Sequence, residues 1–154
     1  MTGPIVPNIW FNGSADEGVD YYITVFENSH IVNKEYYPTD EKTLLDFQRD
    51  LAGKVLTIDF ELNGQEFVAI NAGSEFTLSE AVSFMIPCKD QEEIDYYWDK
   101  LSAVPEAEQC GWCKDKFGLS WQVVPGNFGD ALKIPGNYEI MMNQHKIVIA
   151  EYNT

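Results

Sequence analysis

The sequence predicts an α+β protein: one unit of a strand, a helix and two or three further strands, used twice. Three observations carry that prediction. "DEGVDYY" (16–22) and "QEEIDYY" (91–97) align without a gap, each in a helix that follows a strand and precedes a hairpin. Asn63-Gly64 sits between two β-like runs, "VLTIDFEL" and "EFVAIN", the strongest short-range signal for a type I′ hairpin. Several strands also alternate apolar and polar residues, which places the two kinds on opposite faces of a sheet.

The elements follow in order. "VPNIWF" (6–11) is a strand closed by Asn12-Gly13. Ser14 is placed to cap a helix over 15–27, Asp16 and Glu17 suit its first turn, and Ala15, Val19, Tyr22, Ile23 and Phe26 form its apolar side. A strand over 29–37 ends at Pro38. Thr39 or Asp40 then caps a short helix, 41–51, with Leu44, Leu45, Phe47 and Leu51 inward and Gly53 as its stop. After the Asn63-Gly64 hairpin come a strand over 81–88 and a helix over 90–102, with Ile94, Tyr97, Trp98 and Leu101 inward. Pro105 marks the exit, and "EQCGWC" and "LSWQVV" form a second hairpin around 115–118. The tail, 127–154, reads as a helix, a strand, or one followed by the other. The modules are thus about 5–73, with the 41–51 helix as an insertion, and about 80–126.

Strand parity separates two faces. Ile9 and Phe11, Ile58, Phe60 and Leu62, Val68 and Ile70, Val82, Phe84 and Ile86, and Trp121 and Val123 are expected under the helices. The other face carries Asn8 and Trp10, Thr57, Asp59 and Glu61, Phe67, Ala69 and Asn71, Ser83 and Met85, and Ser120 and Gln122. A mixed polar and aromatic face on a curved sheet makes a ligand cleft. Asn8, Trp10, Asn71, Ser83, Trp112 and Gln122 are its candidate ligand-binding residues, the tryptophans by stacking and the others by orienting polar contacts. Trp121 is assigned to the core.

The formal net charge of −15 opposes phosphate backbones and anionic lipid, so neither nucleic acid nor membrane is expected as a partner. No apolar run reaches the ~18 residues of a membrane span. The start has no basic segment followed by an apolar one, so no signal peptide is expected. Three cysteines, an odd number, fit a reducing cytosol better than a disulfide scaffold, and the expected location is cytoplasmic.

Cys110-Gly111-Trp112-Cys113 has the spelling of a redox motif. No helix follows it, as thioredoxin-like chemistry requires. In an extended 108–113 segment the two Cα atoms would be ~10 Å apart, beyond the ~7 Å a disulfide spans. Zinc would need further ligands, and Cys88 is the one other thiol. His30 and His145, the two histidines, lie far apart in sequence, and no nucleophilic triad or phosphate loop is present.

The segments "IWFNGSADEGVDYYITVF", "FELNGQEFVAINAGSEFTLSEAVSFMIPC", "DQEEIDYYWDKLS" and "QCGWCKDKFGLSWQVVP" resemble the PhnB-like branch of the vicinal-oxygen-chelate superfamily. That superfamily holds glyoxalase, bleomycin-resistance and dioxygenase relatives. The resemblance spans roughly 5–126, and "CGW-x-KD-x-FG-x-SWQ-x-VP" is its most specific part. It implies two βαβββ modules curled around a cleft, with metal-using members placing His, Glu or Gln on the inner face. Those slots fall here near Asn8, Ala69 or Asn71, Ala81 or Ser83, and Gln122. None is His, Asp or Glu, so a strong divalent-metal site is not expected; Asp59 and Glu61, which share the inner parity, are the substitutes.

The branch is also named for 3-demethylubiquinone 3-methyltransferase. No glycine-rich strand-to-helix turn for S-adenosylmethionine is present, and the label is read as family naming rather than mechanism. The resulting expectation is a small-molecule protein without a strong metal site and with no cofactor assigned, acting as a homodimer. The alternatives are a metal-dependent lyase, isomerase or dioxygenase, and a non-catalytic resistance protein that sequesters its ligand.

Overall fold

The computed structural model describes residues 3–154. The chain divides after Thr77 into two compact units. The first unit contains β1 (Asn8–Asn12), α1 (Ala15–Val25), β2 (His30–Tyr36), β3 (Val55–Leu62) and β4 (Gln65–Ala72). Its sheet has the order β1-β4-β3-β2, with β1 parallel to β4 and the other pairs antiparallel. The β3–β4 turn is the expected tight one, since Asn63 (φ 47°) and Gly64 (φ 83°) both take positive φ and Leu62 pairs with Gln65.

That turn sets the register of β4 and corrects its faces. Phe60 pairs with Phe67 and Ile58 with Ala69. Residues directly opposite in an antiparallel pair share a face. Phe67, Ala69 and Asn71 therefore lie with Ile9, Phe11, Ile58 and Phe60 in the buried layer under α1. Val68 and Ile70 take the other face, with Thr57 and Asp59. The sequence expectation assigned β4 the opposite way.

The helix expected over 41–51 is two 3-10 turns, Glu41–Thr43 and Asp46–Leu51, and Leu45 and Phe47 are exposed rather than inward. Asp40 does cap the first turn, accepting from the Lys42 N–H at 3.0 Å. Ser14 makes no side-chain cap bond. Asn71 does that work: its Oδ1 accepts from the Ala15 N–H at 3.2 Å, and its Nδ2 donates to the Val55 carbonyl at 2.9 Å.

The second unit contains β5 (Ser83–Cys88), α2 (Gln91–Leu101), β6 (Trp112–Lys114) and β7 (Ser120–Pro125). Its order, β5-β7-β6, repeats β1-β4-β3 without a fourth strand. The segment in that place holds a 3-10 turn at Pro105–Ala107. It touches β6 through the Ala103 N–H to the Lys114 carbonyl and the Gln109–Trp112 bridge. Pro105 has no N–H to give a ladder. Helix α2 is capped by Asp90, which accepts from the Glu93 N–H at 3.0 Å, and it packs Ile94 and Leu101 against Trp121, Val123 and Cys113 of the sheet. Strand β5 starts at Ser83, so Val82 precedes it and is exposed.

The tail belongs to the second unit. Helices α3 (Phe128–Ala131) and α4 (Asn137–Asn143) are followed by a 3-10 turn, Ile149–Glu151, with no strand. Two buried amides organise it. Asn137 donates to the carbonyls of Ala131 and Asn153 and accepts from the Asn153 N–H. Gln144 bonds Tyr152, Val148 and Glu151. Among the described residues no helix is long and apolar enough to cross a membrane.

Candidate functional site

The face of the second sheet turned away from α2 gathers the most polar chemistry. Parallel pairing sets Ser83 beside Ser120 and Met85 beside Gln122, and antiparallel pairing sets Trp112 beside Gln122 and Lys114 beside Ser120. Gln122 Nε2 donates to Ser83 Oγ at 2.8 Å. Three expected site residues, Ser83, Trp112 and Gln122, thus meet on one face. Ser83, Trp112 and Gln122 are half-buried and Met85 is 61% exposed, so the patch offers an apolar body beside its polar groups. Lys114 pairs with Glu80, whose carboxyl the ammonium holds below the usual carboxylate range, chiefly by their hydrogen bond.

Lys114 and Ser120 were missed as site residues. The signal for Ser120 was present: it lies two residues before Gln122 and shares its parity. Lys114 needed the β6–β7 register, which depends on where the hairpin turns.

The hairpin that sets this register is held by Asp115. Its Oδ1 accepts from the Phe117 and Leu119 N–H groups at 2.9 and 3.1 Å, and its Oδ2 from the Trp121 indole at 2.9 Å. The Lys114-Asp115…Gly118…Ser120-Trp121-Gln122 run is therefore a folding device that presents Lys114, Ser120 and Gln122 together.

The Cys110-Gly111 stretch is not an extended strand. Cys110 (φ 52°) and Gly111 (φ 83°) form a tight turn, and β6 begins only at Trp112. Their N–H groups donate to the Gln144 and His145 carbonyls, both at 2.8 Å, which staples the tail to the turn. All three cysteines are free. Burial pushes the Cys113 and Cys88 thiols up to about 12, helped by Asp115 and Glu108 for the first and Glu93 and Asp90 for the second. Such thiols are poor nucleophiles at neutral pH.

The first sheet has its own face turned from α1, with Asn8, Trp10, Thr57, Asp59 and Ile70. Trp10 is half-buried, its indole donates to the Gly73 carbonyl at 2.9 Å, and its ring meets Phe76 edge-on at 4.7 Å. The Asn8 amide donates to the Val6 carbonyl. Asn71 is the correction: it is buried in the opposite layer with both amide ends bonded, because the hairpin register carries it there. A hollow of about 320 Å³ is lined by Val32, Asp59, Glu61, Glu66 and Val68. Glu61 faces His30 across β2–β3 at 3.8 Å.

These residues do not fit the divalent metal of the superfamily's metal-using members. Of the four slots, Asn71 points into the core, the Asn8 amide is bonded locally, and Ser83 and Gln122 bond each other. Neutral amide and hydroxyl oxygens are weak donors for such an ion. Among the described residues no three His, Cys, Asp or Glu side chains are placed to hold a metal ion, Asp59 and Glu61 included.

The repeated strand–helix–strand units define an α+β protein of the glyoxalase-like fold. Residues 4–124 match the family described as 3-demethylubiquinone-9 3-methyltransferase, and the chain belongs to that PhnB-like family. A PhnB protein from Bacillus cereus, described as a candidate 3-demethylubiquinone-9 3-methyltransferase, is 30% identical over 79% of this chain and 99% of its own, with a TM-score of 0.62. The Pseudomonas aeruginosa protein PA1353 is 16% identical over 80% of this chain and 98% of its own, with a TM-score of 0.55; it shares the fold. No curated protein matches the chain.

Proposed function

We propose that this chain binds a small molecule on the face of the second sheet turned from α2, without a strong metal site. The observation that carries this reading is the Gln122–Ser83 hydrogen bond with Trp112 and Met85 beside it. A bonded amide–hydroxyl pair is preorganised, and the flanking apolar surface supplies most of the binding energy. Asn8 and Trp10 are the candidate contacts for a ligand on the first unit's own sheet face. Methyl transfer belongs to the family's description and is not part of this reading.

A homodimer in the cytoplasm is the working form. Cyclic dimers are the commonest closed assembly, and Val82 and Phe76 leave apolar surface exposed for a partner. The test of binding is a thermal-shift screen of cationic, aromatic and dicarbonyl compounds on protein purified without a tag. A hit should raise Tm, and Gln122→Ala and Trp112→Ala should each remove most of that rise. Hits that ignore both substitutions would refute the site. Recovery of a hit unchanged after prolonged incubation marks a binder, and its consumption marks an enzyme.

A further inference from the structure

Among the described residues, Ser120 Oγ is the buried side-chain polar atom without a hydrogen-bond partner, and Ser120 is 1% exposed. A hydroxyl withdrawn from water without a partner costs free energy and calls for an explanation at its site. The other buried polar side chains, Asn71, Asp115, Asn137 and Gln144, are all bonded.

The surroundings of Ser120 are donors. Its neighbour on β5 is Ser83 and its neighbour on β6 is Lys114. Ser83 Oγ accepts from Gln122 Nε2, which leaves its own hydrogen to donate. Neighbouring strands are about 4.8 Å apart, and an O–H···O bond spans about 2.7 Å. An oxygen atom held between two hydroxyls in adjacent cross-strand positions can therefore accept from both; Ser120 is 1% exposed, so a ligand reaches its hydroxyl by displacing the side chains that cover it. Lys114 has three N–H donors, and its ion-pair partner Glu80 has a side chain that is 58% exposed.

We propose that Ser120 and Ser83 together hold a carboxylate oxygen of a small aromatic acid on this face, with Lys114 as its counter-charge and Trp112 and Met85 against its ring. This rests on the binding reading above and names its ligand class. A cationic ligand would bring its charge to the Lys114 ammonium. The net charge of −15 repels anions at long range, but that field is screened beyond ~8–10 Å in physiological salt, so the local donors decide.

The test uses benzoate, benzyl alcohol and benzylamine as probes of one size and three charges, with binding followed by ligand-observed NMR and tryptophan fluorescence. Benzoate should bind most tightly. Ser120→Ala should weaken it roughly tenfold, the loss of one hydrogen bond to a charged group, and Lys114→Gln by a similar factor. Without ligand, Ser120→Ala should leave Tm unchanged or raise it, because it removes an unpaired buried hydroxyl. A purely structural serine, bonded to a buried water, would lower Tm instead, and that result would overturn the inference. Equal or tighter binding of benzylamine or benzyl alcohol with Ser120→Ala indifferent would also overturn it, while the binding reading stands. Binding by none of the three overturns it as well, and the binding reading then falls only if the broader thermal-shift screen is also blank.

Discussion

The Trp121 indole donates to Asp115 Oδ2 at 2.9 Å, and both residues are buried. The same carboxyl group accepts the Phe117 and Leu119 N–H groups, so one side chain closes the β6–β7 turn and fixes the largest ring under α2. Asp115→Ala should cost about 3 kcal/mol, because it strands buried donors rather than merely removing a contact. Urea denaturation measures it. A loss within experimental error of zero would mean that the turn holds without the carboxyl group.

Asn71→Ala should destabilise the first unit by about 2 kcal/mol, since the Ala15 N–H and Val55 carbonyl lose their partner in the buried layer. It should leave ligand affinity in the folded protein unchanged. A stable variant with weakened binding would restore Asn71 to the ligand face.

Gly111→Ala places a methyl group 3.0 Å from both Ile147 Cγ1 and the Val123 carbonyl oxygen, at φ +83°. The backbone strain alone is about 1–3 kcal/mol, and the contact adds to it. Release of the stapled tail should appear as faster proteolysis after residue 126. An unchanged digestion pattern would show that the turn does not hold the tail.

Titration with a disulfide reagent at pH 8 should find one reactive thiol in the native protein, the half-buried Cys110, and all three after denaturation. Cys88 and Cys113, pushed up to about 12 mainly by burial, stay protonated and covered. Mild oxidation should form no Cys110–Cys113 bond, and mass spectrometry of the unreduced protein would expose one.

Asp95 is held below the usual carboxylate range, first by the Lys146 hydrogen bond and then by that of Gln91. A depressed folded-state pKa contributes stability that is complete above the unfolded value of about 3.9 and is lost as pH falls through the folded one. Lys146→Met should therefore flatten the acid limb of the stability curve below about pH 4. At pH 7 the change should stay under about 1 kcal/mol, because both side chains are well solvated. An acid limb identical to that of the parent protein would remove the pair from the account.

Much of the fold was legible from residue order. Asn63-Gly64 announced its hairpin, and Val19 and Ile94, the aligned pair of the repeat, are both fully buried at equivalent places on α1 and α2. The β4 faces were also legible in principle. A two-residue turn pairs Leu62 with Gln65, and counting outward puts Phe67 opposite Phe60. Hydrophobicity drew the reading to Val68 and Ile70 instead, because β-branched residues suit either face of a strand. The 41–51 segment failed for another reason. Leu44, Leu45 and Phe47 have helical spacing, yet Leu44 is only half-buried and Leu45 and Phe47 are exposed, and an isolated short helix has little to hold it.

By itself the sequence determined the repeated unit, the hairpin turns, the acidic charge and the Ser83–Trp112–Gln122 side of the second sheet, all of which follow from local pattern and period. Tertiary structure decided which polar groups are satisfied. Asn71 and Ser120 are both small polar residues on strands, and nothing in their neighbours along the chain tells them apart. One meets a helix N-terminus and a carbonyl across the sheet, and the other meets no hydrogen-bond partner among the described residues. Hydrogen bonding is settled by atoms brought together from distant positions, and so only the folded chain separates the capping amide from the vacant hydroxyl.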